Sequence, residues 1–102
     1  MEIKIDISMK HLAKAIINLA AFVELSGDDV IDPDSATDAR KMIISDLQKC
    51  SKDELYALRD TVSEMIAEAQ KNDVAEKRID FYKSFMKNFG LEKIINEKYR
   101  LH

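Results

Sequence analysis

Residues 51–69, SKDELYALRDTVSEMIAEA, decide the fold class. Ser51 is followed three positions later by Glu54. A serine whose side chain accepts from the first turn, with a glutamate reaching back to the serine's own amide, is a reciprocal helix start. After it, Leu55, Leu58, Val62, Met65, Ile66 and Ala69 recur at three- and four-residue steps. That spacing draws one apolar stripe along a helix of period 3.6. The segment predicts a helix with one face in a core and the other in water.

Working upstream, Ala36, Ala39, Ile43, Leu47 and Cys50 share a second helical face. This helix begins near Pro33 to Ser35, where proline suits a first turn and aspartates complement the positive dipole end. Almost no residues separate it from Ser51, so the two helices are expected to form an antiparallel hairpin. Before them, a helix capped by Ser8 runs to about Leu25. Its segment AIINLAAFVEL, residues 15–25, is apolar on nearly every side, which predicts the most buried helix of the chain. Ser26-Gly27 ends it, with Gly27 suited to a left-handed cap. At the amino end, Ile3, Ile5 and Ile7 alternate with Glu2, Lys4 and Asp6, a period of two. This is read as an extended N-terminal arm or an early start of the first helix. A sharper alternative is a strand that pairs with the edge of another chain.

Downstream, Asn72-Asp73 supplies the next cap, and a fourth helix carries Val74, Phe81, Phe85 and Phe89 along one side to about Phe89. Gly90 breaks or kinks it. Leu91 to Arg100 then forms a short fifth helix burying Leu91, Ile94 and Ile95. The expected architecture is all-α: an up-and-down bundle of four main helices with a short fifth. The 102 residues suffice for one core, so the whole chain, 1–102, reads as a single domain.

Composition narrows the function classes. Residues 1–72 hold nine basic and fourteen acidic side chains, a balance of −5, whereas residues 73–102 hold seven and five, a balance of +2. An acidic body is not the footprint of a nucleic-acid binder. The tail does interleave cations with Phe81, Tyr82, Phe85, Phe89 and Tyr99, a mixture able to stack on single strands. Four-residue phenylalanine spacing is more simply a core face. One cysteine, Cys50, allows no internal disulfide and points to a reducing cytoplasm. The first ten residues lack the pattern of a secretory leader. The longest apolar run, Ala15 to Val23, is far below the roughly 20 residues of a membrane span.

The densest chemical feature is Glu24 to Asp38, ELSGDDVIDPDSATD, with six carboxylates and no Lys or Arg. Six like charges in a loop between helices repel one another and favour a cationic partner. A helix–loop–helix calcium site needs oxygen ligands at positions 1, 3, 5 and 12 and glycine at 6. Starting at Asp32 places Ala36 and Thr37 at positions 5 and 6; starting at Asp28 places Val30 at position 3. Neither register is a calcium loop. His11, His102 and Cys50 are scattered, with no metal-ligand spacing. A Cys50–His11 pair has no support in the sequence, and Cys50 continues the spacing of a packed face. No catalytic group, cofactor motif or metal set is assigned, and the chain is read as a non-enzyme.

The run FVELSGDDVIDPDSATDARKMIISDLQKCSKDEL, residues 22–55, resembles small all-helical immunity proteins of bacterial toxin–immunity modules, including those of contact-dependent growth inhibition. The helix end FVELS, the acidic loop DDVIDPD and the Ser-x-Asp-Glu cap carry the resemblance, over about a third of the chain. It implies a cytoplasmic inhibitor that covers a toxin, and a basic, nuclease-type toxin would suit an acidic inhibitor. On that reading Asp28, Asp29, Asp32 and Asp34, with Glu24 and Asp38, face toxin lysines and arginines, while Val30 and Ile31 are the apolar anchors. Two other functions stay open: a homodimeric structural or regulatory protein joined through the first helix and the Ile3/Ile5/Ile7 arm, and a nucleic-acid-associated factor using the basic tail.

Overall fold

The computed structural model describes the backbone of residues 3–98 and the side chains of residues 9–96. Five helices follow in order: α1 (Ile3–Leu25), α2 (Pro33–Leu47), α3 (Lys52–Lys71), α4 (Glu76–Asn88) and α5 (Leu91–Lys98). No strand occurs among the described residues, so the all-α architecture of four main helices and a short fifth holds.

The alternating residues at the amino end belong to α1, which starts at Ile3 and not at Ser8. Of the two forms expected there, the early helical start is adopted and the extended arm is not. A lone strand leaves its amides and carbonyls without ladder partners, whereas a helix satisfies them within the segment.

α3 is the hub, packing against α1, α4 and α5. Its capping box is complete: Glu54 N–H donates to Ser51 Oγ at 3.2 Å, and Ser51 N–H donates to Glu54 Oε1 at 2.8 Å. Leu55, Leu58, Val62, Met65 and Ala69 are buried as the spacing predicts, Ile66 is half-buried, and Thr61 joins the buried side. Lys10 pairs with Glu64 at 2.8 Å and Lys14 with Glu68 at 4.0 Å. Equal steps of four along both helices mean that α1 and α3 run parallel, as alternating directions require.

Three local expectations are revised. α2 lies chiefly on α1 and touches α3 little, so the hairpin is not formed. Leu47 is its one buried residue, at the carboxyl end, while Ala36, Ala39, Ile43 and Ile44 are half-buried. A face so thin in bulky apolar groups cannot hold a full helix pair together. Asn72 and Asp73 do not cap α4; they close α3. Asp73 is left-handed (φ 58°) and Val74 N–H reaches back to Ala69 O at 3.0 Å, a Schellman closure. α4 starts from Ala75 with no side-chain cap. Finally, α1 is not enclosed. Ala13, Ile17, Ala20, Ala21 and Val23 are buried, but Leu12, Leu19 and Phe22 are 67%, 58% and 48% exposed. A chain of this size has too few helices to surround a central one.

α4 contributes the aromatic centre. Phe81, Tyr82, Phe85, Met86 and Phe89 are buried, and the Phe85 and Phe89 rings lie 5.0 Å apart. Such ring pairs add about 0.5–1.5 kcal/mol beyond area burial. Gly90 (φ 73°) breaks the chain between α4 and α5, and Leu91 and Ile95 then close the core.

Candidate partner-binding site

The acidic stretch is not one loop: Glu24 lies in α1 and Asp34 and Asp38 lie in α2, and only the short turn between the helices, with Asp28, Asp29 and Asp32, is held by its own main chain. The last bond of α1 runs from Ser26 N–H to Phe22 O at 3.1 Å. Gly27 O then accepts from Val30 N–H at 2.9 Å and Ile31 N–H at 3.1 Å, folding residues 27–31 into one turn. Gly27 is not left-handed; among the described glycines only Gly90 is. The chain reverses through the Gly27 carbonyl, with the Asp29 carboxylate lying over Gly27: an added Cβ would stand 2.9 Å from Asp29 Oδ1.

The six carboxylates divide into two kinds. Asp32 is the N-cap of α2, accepting from Ser35 N–H at 3.1 Å, with Pro33 in the first turn behind it. Its charge is committed to the helix amides. Glu24 is paired with Arg40. Arg40 also donates to Asn88 O at 3.1 Å and lies 5.3 Å from the centre of the Phe89 ring. One guanidinium therefore ties the end of α1, the middle of α2 and the end of α4 together. Arg40 stands two residues beyond the acidic stretch and was not part of the predicted site. Its partners are 16 and 48 residues away, a relation that spacing along the sequence cannot display.

Asp28, Asp29, Asp34 and Asp38 are exposed, and no ion pair among the described residues involves them. Val30, next to Asp28 and Asp29 in the turn, is 61% exposed, and Ile31 is half-buried. The geometry thus leaves four exposed carboxylates without an ion-pair partner among the described residues, Asp34 in the first turn of α2 facing its positive dipole end, and one bare apolar side chain. That surface can attract cations from a distance and offer a small dry contact on arrival; it holds no arranged nucleophile or proton relay.

The other sequence candidates lie elsewhere. His11 is exposed on α1. Cys50 is half-buried, and burial, followed by the nearby Glu54 carboxylate, pushes its thiol upward from the ordinary range. It borders an apolar groove of about 170 Å³ with Met9, Leu12, Ala13, Ile16 and Leu58. Among the described residues no three His, Cys, Asp or Glu side chains are grouped to hold a metal ion. No described helix is long and apolar enough to cross a membrane. Phe81, Phe85 and Phe89, the rings of the stacking reading, are occupied in the core; His102 and Tyr99 lie outside the described residues.

No family model, curated protein or solved structure matches this chain. The geometry of the acidic turn is accordingly the basis for a functional reading.

Proposed function

We propose that the chain is a non-catalytic protein-binding module whose acidic turn docks a basic protein, as an immunity protein docks the toxin it neutralises. The observation that carries this reading is the set of exposed carboxylates without an ion-pair partner among the described residues, Asp28 and Asp29 beside exposed Val30 in the turn and Asp34 and Asp38 at the start of α2. Their mutual repulsion falls when a partner supplies lysine or arginine, so part of the binding free energy is already stored in the free protein. Charges at the rim govern encounter, and the apolar contact governs residence. Asp32 and Glu24 act differently: each already holds a contact within the fold, to the first turn of α2 and to Arg40, so each would serve the partner and the turn between α1 and α2 at once.

The test is co-purification with the product of the adjacent gene, followed by association kinetics. The variant Asp28→Asn/Asp29→Asn/Asp34→Asn/Asp38→Asn leaves Asp32 and Glu24 intact. Its association rate is expected to fall roughly tenfold or more at low salt, with a shallower salt dependence. Thermal unfolding of the free protein should barely change. An unchanged rate and salt slope in the quadruple variant would remove the acidic turn from the interface.

A further inference from the structure

Acidic docking leaves unused a small cleft where α1, α3 and α4 meet. Lys14 and Asn18 are four apart on α1, and Arg78 and Tyr82 are four apart on α4, so each pair shares one helix face. The cleft between these faces holds about 160 Å³. Lys14, Asn18 and Tyr82 give it a polar wall, and Met65, Ala69 and Val74 give it an apolar floor. Exposed Glu68 and Asn72 also border it.

Arg78 decides what the polar wall offers. Its Nε–H donates to the Tyr82 hydroxyl oxygen at 2.8 Å, and its Nη2–H donates to Asn18 Oδ1 at 3.3 Å. A guanidinium only donates, so it takes up the acceptor side of both groups and leaves each of them a donor. Among the described residues nothing accepts the Tyr82 hydroxyl hydrogen or the Asn18 amide hydrogens. Tyr82 is only 6% exposed, a position in which an unmade donation is costly. Lys14 adds a third donor: its Nζ stands 4.0 Å from Glu68 Oε1, beyond hydrogen-bond distance, so its N–H groups remain available.

The charges select an anion, and a small one. Lys14 and Arg78 against Glu68 leave one positive charge in excess. The carbonyls at the end of α3, which would repel an anion, are already occupied: Glu68 O by Asn72 N–H and Ala69 O by Val74 N–H, both at 3.0 Å. The volume is well below the roughly 300–1,000 Å³ of sites for drug-sized ligands. We propose that this cleft binds a short-chain monocarboxylate. Its carboxylate accepts from Tyr82 O–H, Asn18 Nδ2–H and Lys14 Nζ–H, and its alkyl chain lies on Met65, Ala69 and Val74. A second negative charge on the ligand would meet Glu68, which restricts the class to single acids.

Titration of the full chain with sodium butyrate at constant ionic strength, followed by amide NMR shifts, tests the assignment. Saturating shifts are expected at the Asn18 side-chain amide and around Tyr82, with a dissociation constant in the millimolar range, as about six heavy atoms allow. Butyrate should bind roughly fivefold tighter than acetate, because only the longer chain covers the apolar floor. Butylamine, of similar shape and opposite charge, should not bind. Tyr82→Phe keeps the ring and removes the donor, and should weaken butyrate roughly fivefold or more. Lys14→Gln, at a half-buried position where folding is not at stake, should weaken it by a similar factor. Shifts that do not saturate by about 50 mM, equal binding of butylamine, equal affinity for acetate and butyrate, or undiminished affinity in either folded variant would each overturn the proposal.

Discussion

α2 and α3 are consecutive in the chain and are held by opposite means. α3 buries Leu55, Leu58, Thr61, Val62, Met65 and Ala69 and begins with a reciprocal cap. α2 buries Leu47 alone and is fastened by polar links at its start and its middle: Asp32 at the first turn, and Arg40 reaching to Glu24, Asn88 and Phe89. The burial of apolar area makes α3 part of the cooperative core, whereas α2 can open locally at a lower free-energy cost. The proposed docking surface belongs to the second kind of region. A partner-binding segment is well placed where local adjustment does not require the core to move.

Truncation on the two helices should show this contrast most visibly. Leu55 is fully buried in α3, so Leu55→Ala is expected to cost about 3 kcal/mol in equilibrium urea unfolding. Met42 on α2 is 67% exposed, and Met42→Ala should cost less than about 0.5 kcal/mol. Similar losses at both sites would mean that α2 is as deeply integrated as α3.

Arg40→Ala should have an intermediate effect, about 1 kcal/mol, since the guanidinium is partly exposed and each of its contacts is modest. Its signature is local. Amide hydrogen exchange should accelerate in α2 and in the turn at residues 27–31, with α3 protected as before. Uniform acceleration across both helices would show that Arg40 fastens the whole bundle and not α2 alone.

The smallest effect lies at the junction between the two helices. Burial and the Glu54 carboxylate hold the Cys50 thiol in its neutral form, above the reference value of 9.0. The folded state then retains a proton that the unfolded chain releases, so this contribution is complete below pH 9.0 and declines as pH rises through the folded value. Stability of the native protein should fall relative to Cys50→Ala only at alkaline pH, and thiol alkylation should stay slow near neutrality. A rapid reaction at pH 7 would contradict a half-buried thiol held neutral.

The contrast also marks what could be read in advance. α3 was legible because its signals are local: Ser51 and Glu54 are three apart, and the stripe repeats every turn. The phenylalanine face of α4 was legible for the same reason. Ile3, Ile5 and Ile7 left an extended arm and the early helix start both open, because a period of two says nothing about whether a partner strand exists. The apolar run in α1 disclosed hydrophobicity but not coverage, and coverage depends on how many helices are left to pack around it. Asp73 took the position usually given to glycine, so the end of α3 was mistaken for the start of α4. Within the site, the exposed aspartates followed from composition. The division between structural and uncommitted carboxylates needed Arg40 and Ser35 placed in space.

The closure of residues 27–31 by Gly27 O has an evolutionary consequence. The turn takes its shape from main-chain bonds, and the side chains of Asp28, Asp29 and Val30 do not contribute to those bonds. Their identities can therefore drift without loss of the fold, while Asp32, Glu24 and Arg40 stay under structural constraint. A lineage carrying this turn could rewrite its recognition residues one at a time, keeping pace with a changing partner on an unchanged frame.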